Sequence, residues 1–428
     1  MDHEKENKSL TRRSNFLVTW FCLGLAVVLP PQVWAEASPV FSGSGPDAEG
    51  YGQAQGYLAG PRGVLVPQVN LVGHYSHFAE KYPSRVVARG GPVSSWRRAD
   101  QELSLTYEYR GARHDLPDYL SRHPVTGLLI ARGDTILFEH YQYACTDQDR
   151  FLSQSMAKTL VSMLIGIALD EGAIHSIDDP AAEYVPALAG TEYGKTPIRA
   201  LLRMASGVAF TEVYDVPEGD LQRLGLLLFT RANPGPAQAV ATFNQREVPP
   251  DTRFRYASIE TEVLGLVLTG AVKMPLAEYL SSRIWRKLGA EADAAWTIDT
   301  TGQEVAYCCV NATLRDWARV GMMLANDGAW NAAQIVPRRW VLDATSADSS
   351  FQRPGIATGF FGYGNQVWLF PGPRRQFALR GLHGQTIFVD PAAKLVLVQT
   401  AVTLKANGEP AGTELRALWA ALVAQKGE

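Results

Sequence analysis

The chain has little that would hold a metal or a nucleic acid. In 428 residues there are 8 His and 4 Cys, and neither H-E-x-x-H nor C-x-x-C occurs. No zinc-type ligand spacing is therefore present, and neither metal nor cofactor is implied. The formal charge of −3 lacks the basic excess that neutralises phosphates, so no nucleic-acid partner is expected. The apolar run Phe16–Leu29 spans about 14 residues, short of the roughly 20 that cross a bilayer. Cysteine is too sparse for a disulfide framework. Without Cys22 an odd number remains, Cys145, Cys308 and Cys309. At most one intrachain disulfide is then expected, with Cys145 and one of the neighbouring pair as the candidate.

What is there begins with an export signal. Lys8, Arg12 and Arg13 precede the apolar run, and Val33-Trp34-Ala35 supplies small residues for a cut. Residues 1–35 read as a signal peptide cleaved near Ala35, with an uncleaved anchor as the alternative. The mature protein would be periplasmic or secreted, with no stable membrane span. Residues 36 to about 65 are rich in Gly, Ser, Ala and Pro, as in Ser42-Gly-Ser-Gly-Pro46. That composition reads as an extended or flexible lead-in. The whole of 36–120 reads as a lead-in and N-terminal extension, with 121–428 as the main domain.

Two β-favouring runs, Gly127–Arg132 and Thr135–Tyr141, flank Gly133-Asp134 and predict a hairpin. Late apolar runs at 364–370, 376–380, 386–390 and 394–400 predict more strands, and an amphipathic helix follows from about Gly412 to Gln425. The sequence between, roughly 173–350, reads as a mostly helical insertion. Early and late strands around a helical middle predict an α+β fold: one antiparallel sheet flanked by helices, with a ligand cleft beside it.

The chemistry concentrates at Ser155-Met-Ala-Lys158. From Met156 the segment is apolar almost all round up to Gly172, which predicts a buried helix of about four turns with a glycine stop. Residues three apart share a helix face, so Ser155 and Lys158 point the same way. Serine needs a base, and a lysine buried near a positive helix end is pushed toward its neutral form. Taken alone, the tetrad equally describes a capping Ser155 and a solvated Lys158. Yet no other lysine in the chain has a serine three residues before it.

Two further elements fit a hydrolase. Tyr256-Ala-Ser258 precedes another apolar helix. Tyr256 could act as phenolate base or proton relay, and Ser258 could bond Lys158 or the substrate. Gly381-Leu-His-Gly-Gln385 precedes a strand, where a backbone N–H could join that of Ser155 in an oxyanion hole. Trp368 and Phe361 are cleft candidates, although aromatic residues near strands are usually core.

From about Gly127 onward the chain resembles the serine β-lactamase and penicillin-recognising superfamily, on its class C β-lactamase and carboxylesterase side. Ser155-Met-Ala-Lys158 matches S-x-x-K, Tyr256-Ala-Ser258 matches Y-x-N or Y-x-S, and Leu382-His383-Gly384 falls where K-T-G or H-x-G is found. The serine form at 258 and the Gly381–Gln385 run look most like 6-aminohexanoate-dimer hydrolases and related esterases. The resemblance implies a β-lactamase/transpeptidase-like fold and an acyl-enzyme on Ser155, with Lys158 and Tyr256 moving the proton. It further implies an oxyanion hole from the N–H groups of Ser155 and Gln385, with Gly384, His383 and Ser258 around the substrate. The substrate would be a small ester, amide or β-lactam-like molecule. Leu382 stands where class C enzymes carry the lysine of K-T-G, which argues against β-lactams, although His383 could supply part of that charge. A D-alanyl-D-alanine peptidase and a non-catalytic relative are the remaining alternatives.

Overall fold

The computed structural model describes residues 37–60 and 66–426. The signal-peptide reading of 1–35 lies outside the described residues.

The predicted hairpin forms and becomes the middle of a larger sheet. In chain order its strands are β1 (Val40–Phe41), β2 (Arg97–Arg98), β3 (Val125–Arg132), β4 (Thr135–Tyr141), β5 (Gly362–Tyr363), β6 (Trp368–Leu369), β7 (Phe377–Arg380), β8 (Thr386–Asp390) and β9 (Leu395–Ala401). They lie in the order β1-β4-β3-β9-β8-β7-β6-β5, with β2 also pairing with β4. The pairs from β4 to β5 are antiparallel. The edge strands β1 and β2 run parallel to β4. The sheet is therefore mixed rather than wholly antiparallel, because the N-terminal extension adds its strands to the outer edge.

The central strands β3, β8 and β9 are buried along almost their whole length because both faces are covered. Side chains alternate across a strand, so a strand buried on two sides has no polar face to show. In β3, Leu129 and Ala131 join one core, and Leu128 and Ile130 join the other. The first core holds the helix α3 (Leu314–Ala325), with Trp317 and Val320. Gly321 lets that helix settle on the sheet, since a Cβ there would lie 2.7 Å from Val396 Cγ1. The second core is closed by α4 (Ala411–Lys426) through Leu418 and Trp419. Truncating the buried Trp419 to Ala would cost about 3–5 kcal/mol.

The predicted serine helix is α1 (Ala157–Asp170), preceded by a 3₁₀ turn at Gln154–Met156. Gly172 follows it with φ +75°, the left-handed geometry of a helix stop. Beside it packs α2 (Ser258–Val272), also largely buried. The 173–350 span is helix-rich, as expected, but not a separate helical insert. Its strands Ala294–Thr297 and Val310–Ala312 join Ser84–Val87 and Phe151–Leu152 in a second, antiparallel sheet. Phe151–Leu152 leads straight into the Ser155 turn, so this small sheet holds the turn from behind. Among the described residues no single helix is long and apolar enough to cross a membrane.

Two expectations are corrected. Residues 37–60 are not a loose lead-in. Tyr51 and Tyr57 are buried, and their rings pack on Tyr143. The Tyr51 hydroxyl donates to Val402 O at 2.8 Å, and that of Tyr143 donates to Pro46 O at 2.6 Å. The glycine content reflects close contact rather than looseness: a Cβ on Gly45 would sit 2.5 Å from the Tyr143 ring. The disulfide also differs. Cys308 bonds its neighbour Cys309, and Cys145 is free and buried. Burial, helped by the Asp149 charge and opposed by a hydrogen bond with Ser76, pushes the Cys145 thiol well above its ordinary range. The Cys308–Cys309 pair belongs instead to the turn before Val310–Ala312.

Candidate active site

Ser155 is the middle residue of the Gln154–Met156 turn and is half-buried. Lys158 follows in the first turn of α1 and is 1% exposed. The predicted geometry holds: Lys158 Nζ is 2.8 Å from Ser155 Oγ. It also reaches Ser258 Oγ at 3.0 Å and the Tyr307 carbonyl at 2.9 Å. An ammonium has three donors, and here each has one acceptor. Burial pushes the amine down to about 8, partly opposed by the charges of Glu212 and Glu262. Near its pKa of about 8 a substantial share of the amine is therefore neutral, with a lone pair available to the serine proton. The reading of Ser155 as a mere cap fails, since no side-chain capping bond is made there.

Ser258 opens α2 and is buried. Its hydroxyl donates to Glu212 Oε1 at 2.8 Å, so it accepts from Lys158. Tyr214 donates to the same carboxylate oxygen at 2.6 Å. Glu212 thus fixes the direction of the Ser258 hydroxyl and leaves Lys158 facing Ser155.

Tyr256 is half-buried, and its phenol interacts with the Ser155 side chain. Burial and the nearby Glu212 charge drive its phenol well above the ordinary range, with the Ser155 side chain opposing them. The neutral phenol is the favoured form, which suits a relay better than a standing phenolate. Its ring stacks on Trp368, with centroids 5.2 Å apart, and meets Tyr363 edge-on at 5.9 Å. Trp368 does line the site.

The Gly381–Gln385 segment borders the serine turn. The close approach to the serine turn is at Gly381, where a Cβ would lie 2.4 Å from Ser153 O. Only glycine allows that contact. Gln385 is fully buried, and its Nε2 donates to Ala401 O at 2.6 Å. Its side chain locks the strand beneath the site instead of facing a ligand. Gly384 takes φ +95° in the turn, and its carbonyl accepts from Gln399 Nε2 at 3.1 Å. His383 packs against the Tyr75 ring, and its Nδ1 lies 2.6 Å from Thr403 O. Burial lowers its pKa, so it brings no charge at neutral pH, contrary to the suggested stand-in for a K-T-G lysine.

Sequence reasoning missed Glu212, Tyr214 and the Tyr307 carbonyl. A backbone acceptor leaves no side-chain signature, and Glu212 sits in a loop with no periodic pattern. Among the described residues no group of three or more His, Cys, Asp or Glu is arranged to hold a metal.

A family model described as Beta-lactamase matches residues 120–424. The chain belongs to the beta-lactamase family. This beta-lactamase-family chain is 30% identical over 332 residues to a 6-aminohexanoate-dimer hydrolase of Paenarthrobacter ureafaciens, covering 76% of this chain and 83% of the relative. A solved structure described as a 6-aminohexanoate-dimer hydrolase from Bacillus anthracis is similar at 24% identity and TM-score 0.71, covering 83% of this chain and 93% of that one. A family VIII carboxylesterase structure is similar at 16% identity and TM-score 0.55, covering 70% and 93%. Both structural likenesses concern the fold, which is α+β and β-lactamase/transpeptidase-like. The chain is a serine hydrolase of the beta-lactamase family.

Proposed function

We propose that this protein cleaves an ester or a linear amide through an acyl-enzyme on Ser155. The observation that carries the reading is the buried Lys158 amine 2.8 Å from the serine hydroxyl, with its pKa pushed down to about 8. Neutral Lys158 takes the Ser155 proton as Oγ attacks the carbonyl carbon. The tetrahedral oxyanion is held by the Ser155 N–H and a backbone N–H of the 381–385 turn. Tyr256, beside Ser155 and kept as the neutral phenol, passes a proton to the leaving oxygen or nitrogen and is recharged from Lys158. Water then attacks the acyl group by the reverse proton path and releases the acid. Ser258 and Glu212 hold the amine in place throughout.

The relatives' printed names, a 6-aminohexanoate-dimer hydrolase and a family VIII carboxylesterase, support the reading. Export through residues 1–35 to the periplasm or beyond is part of the same proposal. With neither a lysine nor a charged histidine at 382–383, nitrocefin is expected to stay unopened. The test is turnover of 4-nitrophenyl esters by wild type and Ser155→Ala. Loss of turnover in the variant is expected, by a factor on the order of 10⁴ or more. Unchanged hydrolysis would end the proposal.

A further inference from the structure

The Cys308–Cys309 bond joins sequence neighbours, so it closes a small ring around the peptide between them. Both cysteines are buried. They lie between two attachments to the reacting groups. On one side the Tyr307 carbonyl accepts from Lys158 Nζ at 2.9 Å. On the other, Val310 N donates to Ser153 Oγ at 3.0 Å, and Ser153 N donates to Val310 O at 2.8 Å. Ser153 stands just before the turn that carries Ser155. The bonded pair therefore bridges the amine and the turn whose hydroxyl it faces, with no other residue between.

The peptides around the pair are also engaged. Ala306 N donates to Glu262 Oε2 at 2.9 Å, and the Trp296 indole N–H donates to the carbonyls of Val305 and Cys308. Cys309 holds φ +73°, a left-handed geometry that a residue with a side chain disfavours. A covalent ring leaves this dipeptide few other conformations, whereas an open dithiol regains them. The Tyr307 carbonyl adjoins the ring, so it is the contact most exposed to that change.

The contact matters to the proton transfer. A neutral lysine with its N–H donors on Ser258 and the Tyr307 carbonyl aims its lone pair at Ser155. Without the carbonyl the amine is free to rotate away. Its charged form also loses an acceptor, which favours the neutral form. The other titratable groups facing the amine are Glu212, Glu262 and the phenols of Tyr256 and Tyr307.

We propose that the Cys308–Cys309 disulfide is a positioning element for Lys158, and that opening it slows turnover by releasing the Tyr307 carbonyl. The inference rests on the hydrolase reading, in which Lys158 serves Ser155. A water-soluble phosphine opens the bond in a balanced step. The S–S bond breaks and phosphorus gives up two electrons. Water supplies oxygen to phosphorus and a proton to each sulfur, leaving two thiols and a phosphine oxide.

The test follows 4-nitrophenyl ester hydrolysis by the oxidised chain before and after phosphine, with opening confirmed by alkylating both cysteines. A fall in kcat of about tenfold or more is expected, with KM little changed. The pH limb near 8 should move to lower pH, a shift that a merely structural bond would not cause. Cys308→Ala combined with Cys309→Ala should match the reduced wild type and ignore phosphine. If the bond resists phosphine in the folded chain, that double variant carries the same prediction. An unchanged kcat and limb after confirmed opening overturn the proposal, as does a phosphine effect that persists in the double variant. If wild type hydrolyses no ester, the hydrolase reading fails by itself. Nitrogen NMR of labelled lysine, assigned with Lys158→Met, then reads the amine directly. Its midpoint should fall when the bond opens, and an unmoved midpoint overturns the positioning.

Discussion

Two cations flank Tyr256, and they are solvated in opposite ways. Lys158 is enclosed, and its three donors reach Ser155, Ser258 and the Tyr307 carbonyl. Arg380 rests on the faces of Phe361 and Trp368, with no hydrogen-bond acceptor among the described residues. A group whose every partner belongs to the protein can be tuned by the protein, which is what proton transfer needs. The contrast separates the part of the site that does chemistry from the aromatic wall beside it.

The largest effect that could break this contrast is at Lys158. Replacement by Met should lower kcat by a factor on the order of 10² to 10⁴, the scale of a positioned acid–base group. A loss in KM alone, with kcat kept, would make Lys158 a binding residue instead. Next comes Gly381→Ala. The added Cβ meets the Ser153 carbonyl and should displace the turn from the nucleophile, at a cost of roughly 10²-fold in kcat/KM. Steady-state kinetics on a variant with unchanged circular dichroism checks it.

The pH profile sharpens the comparison further. The active form of Lys158 is the neutral one, so kcat/KM should rise with pH through about 8. The Glu212 charge holds that value up, so Glu212→Gln should shift the limb toward lower pH. A limb that stays in place would mean the profile reports another group.

The smallest effect is on stability. Burial raises the Glu262 carboxyl from 4.5 to about 8. The folded state therefore holds a proton that the unfolded chain has lost. This contribution is complete below about 4.5 and falls away as pH rises through about 8. Urea denaturation across that range should show a shallower decline for Glu262→Gln than for wild type.

Much of this was legible in the chain. The hairpin, the late strands and the serine helix carry periodicity and glycine stops that local rules read directly. The Ser155–Lys158 pairing followed from helical spacing alone. The N-terminal segment misled because composition weighs residues equally. Two tyrosines packed on Tyr143 outweigh a run of glycines. The second sheet joins strands as distant as Ser84–Val87 and Val310–Ala312, and such pairing leaves no local trace. The 381–385 motif fixes which turn borders the nucleophile, and Gly381 meets the serine turn there. It does not fix which peptide of that turn meets the nucleophile.

The central claim is that one side chain, Ser155, becomes covalently bound during turnover. Intact-protein mass spectrometry after exposure to a fluorophosphonate probe tests it most directly. A single adduct on the peptide containing Ser155, missing from Ser155→Ala, is the expected result. No adduct on wild type, or the same adduct on the variant, would contradict the account.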